Sequence, residues 1–359
     1  YTKTFPEGAV GIDPYKSYSD MFTGESTATK NPEYIWGRTS GSLRSYTRHA
    51  FPVGLMGGYN GMAVSQKFID AYYMVDGRDR TNSSDEYPYL EDGFTSEVKS
   101  FSGYQLKSGV YNMYINREPR FYASIGFSGC FWPCASTSEA VKKNVYVYYW
   151  KGASGYGASG KDKAVGSGDA NNYPVTGYVM KKYVHNDGTD ATVLPKSFPI
   201  IRYAEILLSY VEALNNLTGS HTVTFSDEST GTYTRDMNEM AKYFNMVRYR
   251  AGLPGLTTDE LSSADKMFDI IVRERMIEFL HENRRFYDVR RWGIYLDTEK
   301  EPIVGMNTDG FEDEFFQRTT VNHLFARTRV ADKKMVFLPI PRAELRKVPL
   351  MDQNPGWDN

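Results

Sequence analysis

The stretch Phe198-Pro-Ile-Ile-Arg-Tyr-Ala-Glu-Ile-Leu-Leu-Ser-Tyr-Val-Glu-Ala213 decides the fold. Ile201, Ala204, Leu207, Leu208, Val211 and Leu214 fall at helical spacing and mark one apolar face. Pro199 suits the first turn of that helix, where a missing N–H costs nothing, and Gly219 follows as a stop. Further downstream, Met237, Met240, Ala241, Phe244 and Val247 predict a second helix over 235–251, closed by Gly252-Leu-Pro254. Thr257-x-x-Glu260 is a capping box ahead of a third helix over 264–282, and a fourth short helix runs from Arg284 to Trp292. Helices joined by such short links predict a mainly α fold of tetratricopeptide-like hairpins, although no clean 34-residue repeat is present.

Upstream the character differs. Turn-formers cluster around Asp13-Pro14, Asn31-Pro32 and Gly57-Gly58, and aromatic residues are scattered among them. A short amphipathic helix is predicted over 64–75, ending at Asp76-Gly77. Val145-Tyr-Val-Tyr-Tyr-Trp150 is β-prone, and the glycine-rich run from Gly152 to Gly168 reads as a mobile surface loop. The division expected is a loop-rich, partly β ligand-binding region over 1–190 and a helical region over 191–359, integrated into one domain.

Composition removes several function classes. The 359 residues carry 42 Lys plus Arg against 44 Asp plus Glu, a formal charge of −2, so the basic excess that nucleic-acid binding needs is lacking. No apolar run is long enough for a spanning helix. Aromatic residues make up 15% of the chain, 28 of them Tyr, a side chain suited to half-wet binding surfaces. The two cysteines, Cys130 and Cys134, match no zinc spacing. They admit two readings, a disulfide closing a three-residue loop or two thiols in a turn, and the bridge is expected.

Several further blocks point one way. Phe244-Asn-x-Val-Arg-Tyr-Arg-Ala-Gly-Leu-Pro254, Glu274-Arg275 with Glu278, Arg284-Arg-Phe-x-Asp288-x-Arg-Arg-Trp292, Leu338-Pro-Ile-Pro341 and Gln353-Asn-Pro-Gly-Trp357 join the opening helix. Upstream stand Phe68-Ile-Asp-Ala-Tyr-x-Met-x-Asp-Gly77 and Asn116-Arg-Glu-Pro-Arg-Phe-Tyr122. Together they resemble the ordered motifs of the SusD/RagB family over about four-fifths of the chain. The resemblance implies a non-catalytic surface lipoprotein on the extracellular face of the outer membrane of Bacteroidetes-type bacteria. Such a protein captures oligosaccharides, or oligopeptides in the RagB branch, and delivers them to a SusC-like TonB-dependent transporter. Family members start with a lipidated Cys and carry further tetratricopeptide helices upstream. Neither is present here, so the chain resembles the C-terminal two-thirds or so of such a protein, and membrane association through a lipid anchor lies outside it.

The family motifs read mostly as scaffold. Glu274 sits in the apolar stripe of the third helix and is expected to pair with an arginine such as Arg248 or Arg250 rather than to act as an acid. Gly155-Tyr-Gly-Ala-Ser-Gly-Lys161 approaches a phosphate loop, but Asp162 stands where a hydroxyl should hold Mg²⁺, so nucleotide binding is not expected. Neither H-E-x-x-H nor a Gly-x-Ser-x-Gly elbow occurs, which leaves a surface glycoside hydrolase as a remote alternative. No cofactor is expected beyond a Ca²⁺ ion at the acidic loop Asp309–Glu314. The ligand-binding candidates are aromatic: Phe131 and Trp132 between the cysteines, Tyr149 and Trp150 with Tyr146 and Tyr148 beside them, and more weakly Trp36 and Tyr59. Trp132 is expected to be exposed on a stiff loop, whereas Trp36 and Tyr146 are expected to be core residues.

Overall fold

A computed structural model describes residues 11–26, 29–38, 44–135, 137–166, 169–185 and 195–357. The helical half follows the apolar spacing of the sequence. Helices Tyr203–Asn215, Met237–Arg250, Thr258–Ser262 and Ala264–Glu278 pack on one another. Leu207, Leu208, Val211 and Leu214 close on Met240, Phe244, Val247, Met267 and Ile271. Asp236 caps the second of these helices by accepting from the Asn238 and Glu239 amides, and Thr257 and Glu260 form the reciprocal capping box. Among the described residues, no helix is long and apolar enough to cross a membrane.

The first of these helices differs from its sequence reading at its start. Residues Phe198–Arg202 form a strand, paired antiparallel with Tyr34–Arg38, and the helix begins only at Tyr203. Pro199 has no amide to donate, which suits a two-stranded ribbon at least as well as a helix start. The remaining strands also form two-stranded antiparallel pairs, among them Cys130–Trp132 with Val145–Val147, Lys99–Phe101 with Tyr104–Leu106, and Val304–Met306 with Arg318–Thr320. Among the described residues, the loop-rich half thus holds no broad sheet. Its core is aromatic instead, with Tyr18, Phe22, Tyr104, Tyr114, Phe121, Phe127 and Tyr178 fully enclosed. Ile277, Met306 and Phe315 from the later half enter the same core, so packing runs continuously across residue 190.

The two halves are joined by a buried ionic cluster. Arg120, in the helix Pro119–Ser124, donates to Glu118 at 2.6 Å, Glu274 at 2.6 Å and Glu278 at 2.8 Å. Glu278 also receives Arg202 at 2.7 Å and Arg250 at 2.5 Å. Arg202 and Lys182 in turn hold Glu282 at 2.8 and 2.6 Å. Glu274 is therefore structural, but its partner is Arg120 rather than the nearer arginines: Arg250 binds Glu278, and Arg248 donates to the Pro254 carbonyl. Burial alone would raise the Glu278 carboxyl, yet Arg250, Arg202 and Arg120 hold it well below its ordinary range. Removing Arg120 would strand Glu118 and Glu274 without their guanidinium. We therefore expect Arg120→Ala to lose about 3–5 kcal/mol of unfolding free energy in urea titrations, and a loss under about 1 kcal/mol would contradict this role.

Candidate functional site

The aromatic candidates separate into two groups. Cys130, Phe131 and Trp132 are all buried in their strand, and Trp132 is 1% exposed. Its indole Nε1 donates to Cys130 Sγ at 3.2 Å, its ring meets Phe51 edge-on, and the Lys181 ammonium lies 5.2 Å from its centroid. A ring so enclosed has no face for a ligand, which corrects the expected exposure of Trp132, and Phe131 beside it is equally buried. Cys130 and Cys134 are both buried as thiols with no disulfide between them, which corrects the bridge. The run between them is an inner strand rather than a stiff hairpin tip. Tyr149 is likewise core, its amide bonded to Ser128 Oγ at 3.1 Å. Trp36 reverses its expectation in the other direction and is 61% exposed on the Tyr34–Arg38 strand. Tyr59 is half-buried against His49 and beneath Arg48.

Tyr146, Tyr148 and Trp150 come together as an outward-facing ledge. In extended chain, side chains alternate, so Val147 and Tyr149 fill the core while the three even-numbered aromatics are half-buried. The Tyr148 and Trp150 rings are 4.4 Å apart at 48°. The Lys107 ammonium lies 4.6 Å from the Tyr146 centroid and 4.9 Å from that of Tyr148, and it donates to the Tyr148 hydroxyl. The Tyr146 hydroxyl donates to Gln105 Oε1 at 3.3 Å.

The glycine-rich run is docked against this ledge rather than hanging from it. The Tyr148 amide donates to the Gly157 carbonyl at 2.8 Å, and the Ser159 amide donates to the Tyr148 carbonyl at 2.9 Å. A Cβ on Gly157 would lie 1.8 Å from the Tyr146 carbonyl oxygen, and one on Gly160 would lie 2.4 Å from that of Trp150. Only glycine permits that approach. The phosphate-loop likeness ends here too, because Lys161 forms an ion pair with Asp309 at 2.7 Å.

Beyond Trp150, the Lys151 amide donates to the Gly310 carbonyl at 2.9 Å, and the Lys151 ammonium lies 5.5 Å from the exposed Phe311 ring. Next comes a polar pocket of about 170 Å³ whose lining includes Lys161, Tyr173, Asn307, Asp309, Asn322 and His323. Its hydrogen bond to Asp309 raises the Lys161 ammonium's pKa. The pocket is smaller than the roughly 300–1,000 Å³ that encloses a whole ligand. Asp309 is committed to Lys161, and Glu314 accepts from the Phe311 amide. Among the described residues, no group of three or more His, Cys, Asp or Glu is placed to hold a metal ion, against the Ca²⁺ expectation at Asp309–Glu314. Larger cavities of about 660, 360 and 310 Å³ follow the helix Pro14–Thr23. The cavity of about 660 Å³ is bounded by that helix and by residues of the helices Tyr203–Asn215 and Met237–Arg250, with Asp13, Glu33, Leu207 and Arg250 in its lining.

Helical hairpins thus carry a loop-built aromatic and polar surface. The chain belongs to the SusD family, whose profile matches residues 32–357. It is 31% identical over 163 residues to the SusD-like protein P2 of Formosa agariphila, an alignment covering 44% of this chain and 25% of that one. A SusD-like protein from Bacteroides fragilis superposes with a TM-score of 0.65 at 25% identity, covering 97% of this chain and 58% of its own. A second B. fragilis structure, described as a SusD-like carbohydrate binding protein, superposes at 0.61 with 20% identity over 92% of this chain and 56% of its own. The chain thus spans a little over half the length of these solved relatives and a quarter of the curated one.

Two substitutions test the burial of Trp132 and the docking of the glycine-rich run. Trp132→Ala should cost about 3–5 kcal/mol of stability, as expected for a core indole, and unchanged stability would return Trp132 to the surface. Gly157→Ala forces the docked loop away from Tyr146; we expect a loss of about 1–3 kcal/mol in denaturant titrations together with altered Trp150 fluorescence, and neither change if the loop is undocked.

Proposed function

We propose that this chain binds oligosaccharides without catalysis along the Tyr146–Tyr148–Trp150 ledge and delivers them to a SusC-like TonB-dependent transporter at the extracellular face of the outer membrane. The observation that carries the binding reading is the ledge itself: two rings 4.4 Å apart on a segment bonded to a docked loop, which leads on to Lys161 in a pocket of amide, carboxylate and ammonium groups. Sugar rings present apolar C–H faces to such aromatics and hydroxyls to such polar groups. Pinned rings lose little entropy on binding. Family membership supports the localisation and delivery parts of this reading, and residues 1–190 supply most of the ledge while 307–323 supply much of the pocket.

The alternatives fit less well. A peptide captured by strand addition needs an unpaired edge. Beside the ledge that edge is occupied by the docked loop, which takes the Tyr148 amide and carbonyl. A glycoside hydrolase needs two carboxylates facing one bond. The pocket lining holds one, Asp309, and that one is ion-paired, while Glu118, Glu274 and Glu278 are sealed in the core.

Calorimetric titration of the full chain against plant, host and microbial oligosaccharides, beside a peptide pool, tests the reading. We expect glycan binding that weakens at least tenfold, about 1.4 kcal/mol or more, in Trp150→Ala. Binding of peptides only, or glycan affinity unchanged in that variant, would contradict it.

A further inference from the structure

We infer that the ledge takes an anionic oligosaccharide, one whose sugar rings carry carboxylate or sulfate groups, with the charged group placed at the Lys107 end. This rests on the ledge being the binding surface, and it adds the chemical class of the ligand. Lys107 is half-buried and held in one position by two tyrosine rings and a phenol oxygen. Its segment alternates as the ledge does, Tyr104 and Leu106 inward, Gln105 and Lys107 outward, so both polar side chains border the rings. Among the described residues, no carboxylate contacts its ammonium.

That arrangement discriminates between ligands. A neutral sugar stacked on Tyr148 would take water from a cation that no described carboxylate neutralises and return only neutral hydroxyl acceptors. An anionic substituent replaces the lost hydration with a charge-assisted bond. The other end of the ledge differs. Lys161 is neutralised by Asp309, and Lys151 lies over Phe311, just before the exposed acids Glu312 and Asp313. The charge balance therefore favours an anion at one end and a neutral, hydroxyl-bearing ring in the polar pocket at the other. A shallow site of this kind keeps its electrostatics open to salt screening.

The test is calorimetric titration of the full chain with an oligogalacturonate, a sulfated galactose oligosaccharide and a neutral galactose oligosaccharide of equal length, at low and at moderate salt. Wild type is compared with Lys107→Gln, Lys107→Arg and Trp150→Ala. We expect at least one anionic oligomer to bind at least tenfold more tightly than the neutral one. That ratio should fall with salt, collapse toward unity in Lys107→Gln and be retained in Lys107→Arg. The carboxylate and sulfate arms separate the two sources of charge. Equal affinity for neutral and anionic oligomers, with a ratio unmoved by Lys107→Gln, would overturn the inference while leaving the ledge intact if Trp150→Ala still abolishes binding. Binding of any oligomer that is indifferent to Trp150→Ala, or no binding at all, would overturn both.

Discussion

Glu278 is the carboxylate on which the two halves of the molecule converge. It lies at the end of the helix Ala264–Glu278, fully buried, and takes guanidinium groups from Arg120 in the loop-rich half, Arg202 at the end of a strand and Arg250 at the end of a neighbouring helix. Replacing such a cluster by apolar residues of equal volume need not destabilise a protein, but deleting one member leaves charges that nothing solvates. The cluster therefore selects one docking of the helices against the loops, because any other would bury the same ions unpaired.

That constraint explains how a region whose described strands pair only two by two stays ordered. Strand Phe198–Arg202 brings Arg202 to the cluster while pairing with Tyr34–Arg38, and Lys182 ties the aromatic core to Glu282. Packing of aromatic rings then supplies the cohesion that a broad sheet would otherwise give. The ledge is a by-product of the same order: Val147 and Tyr149 anchor inward, so Tyr146, Tyr148 and Trp150 face out.

The helices were legible because their apolar residues repeat at helical spacing and their caps are local. The family was legible because its motifs are contiguous blocks. The placement of Trp132 was not, since proline and cysteines around an indole look alike in a loop and in an inner strand. One signal was available, however: Cys130-Phe-Trp132 is a short continuous apolar run, the mark of a strand covered on both faces. Alternation over 145–150 would similarly have sorted Tyr149 inward from its neighbours. The polar pocket was beyond reach, because Lys161 and Tyr173 meet Asn307, Asp309 and Asn322 only after folding. The partner of Glu274 was hidden for the same reason, Arg120 lying 154 residues away.

The central claim is that ligand lies on the ledge and not in the larger cavities along the helix Pro14–Thr23. Amide hydrogen exchange of the full chain, measured with and without a bound oligosaccharide, addresses this directly. Protection concentrated in residues 105–107, 146–161 and 307–323 is the predicted result. Protection confined to residues 13–23 and 203–207, with the ledge unchanged, would contradict it.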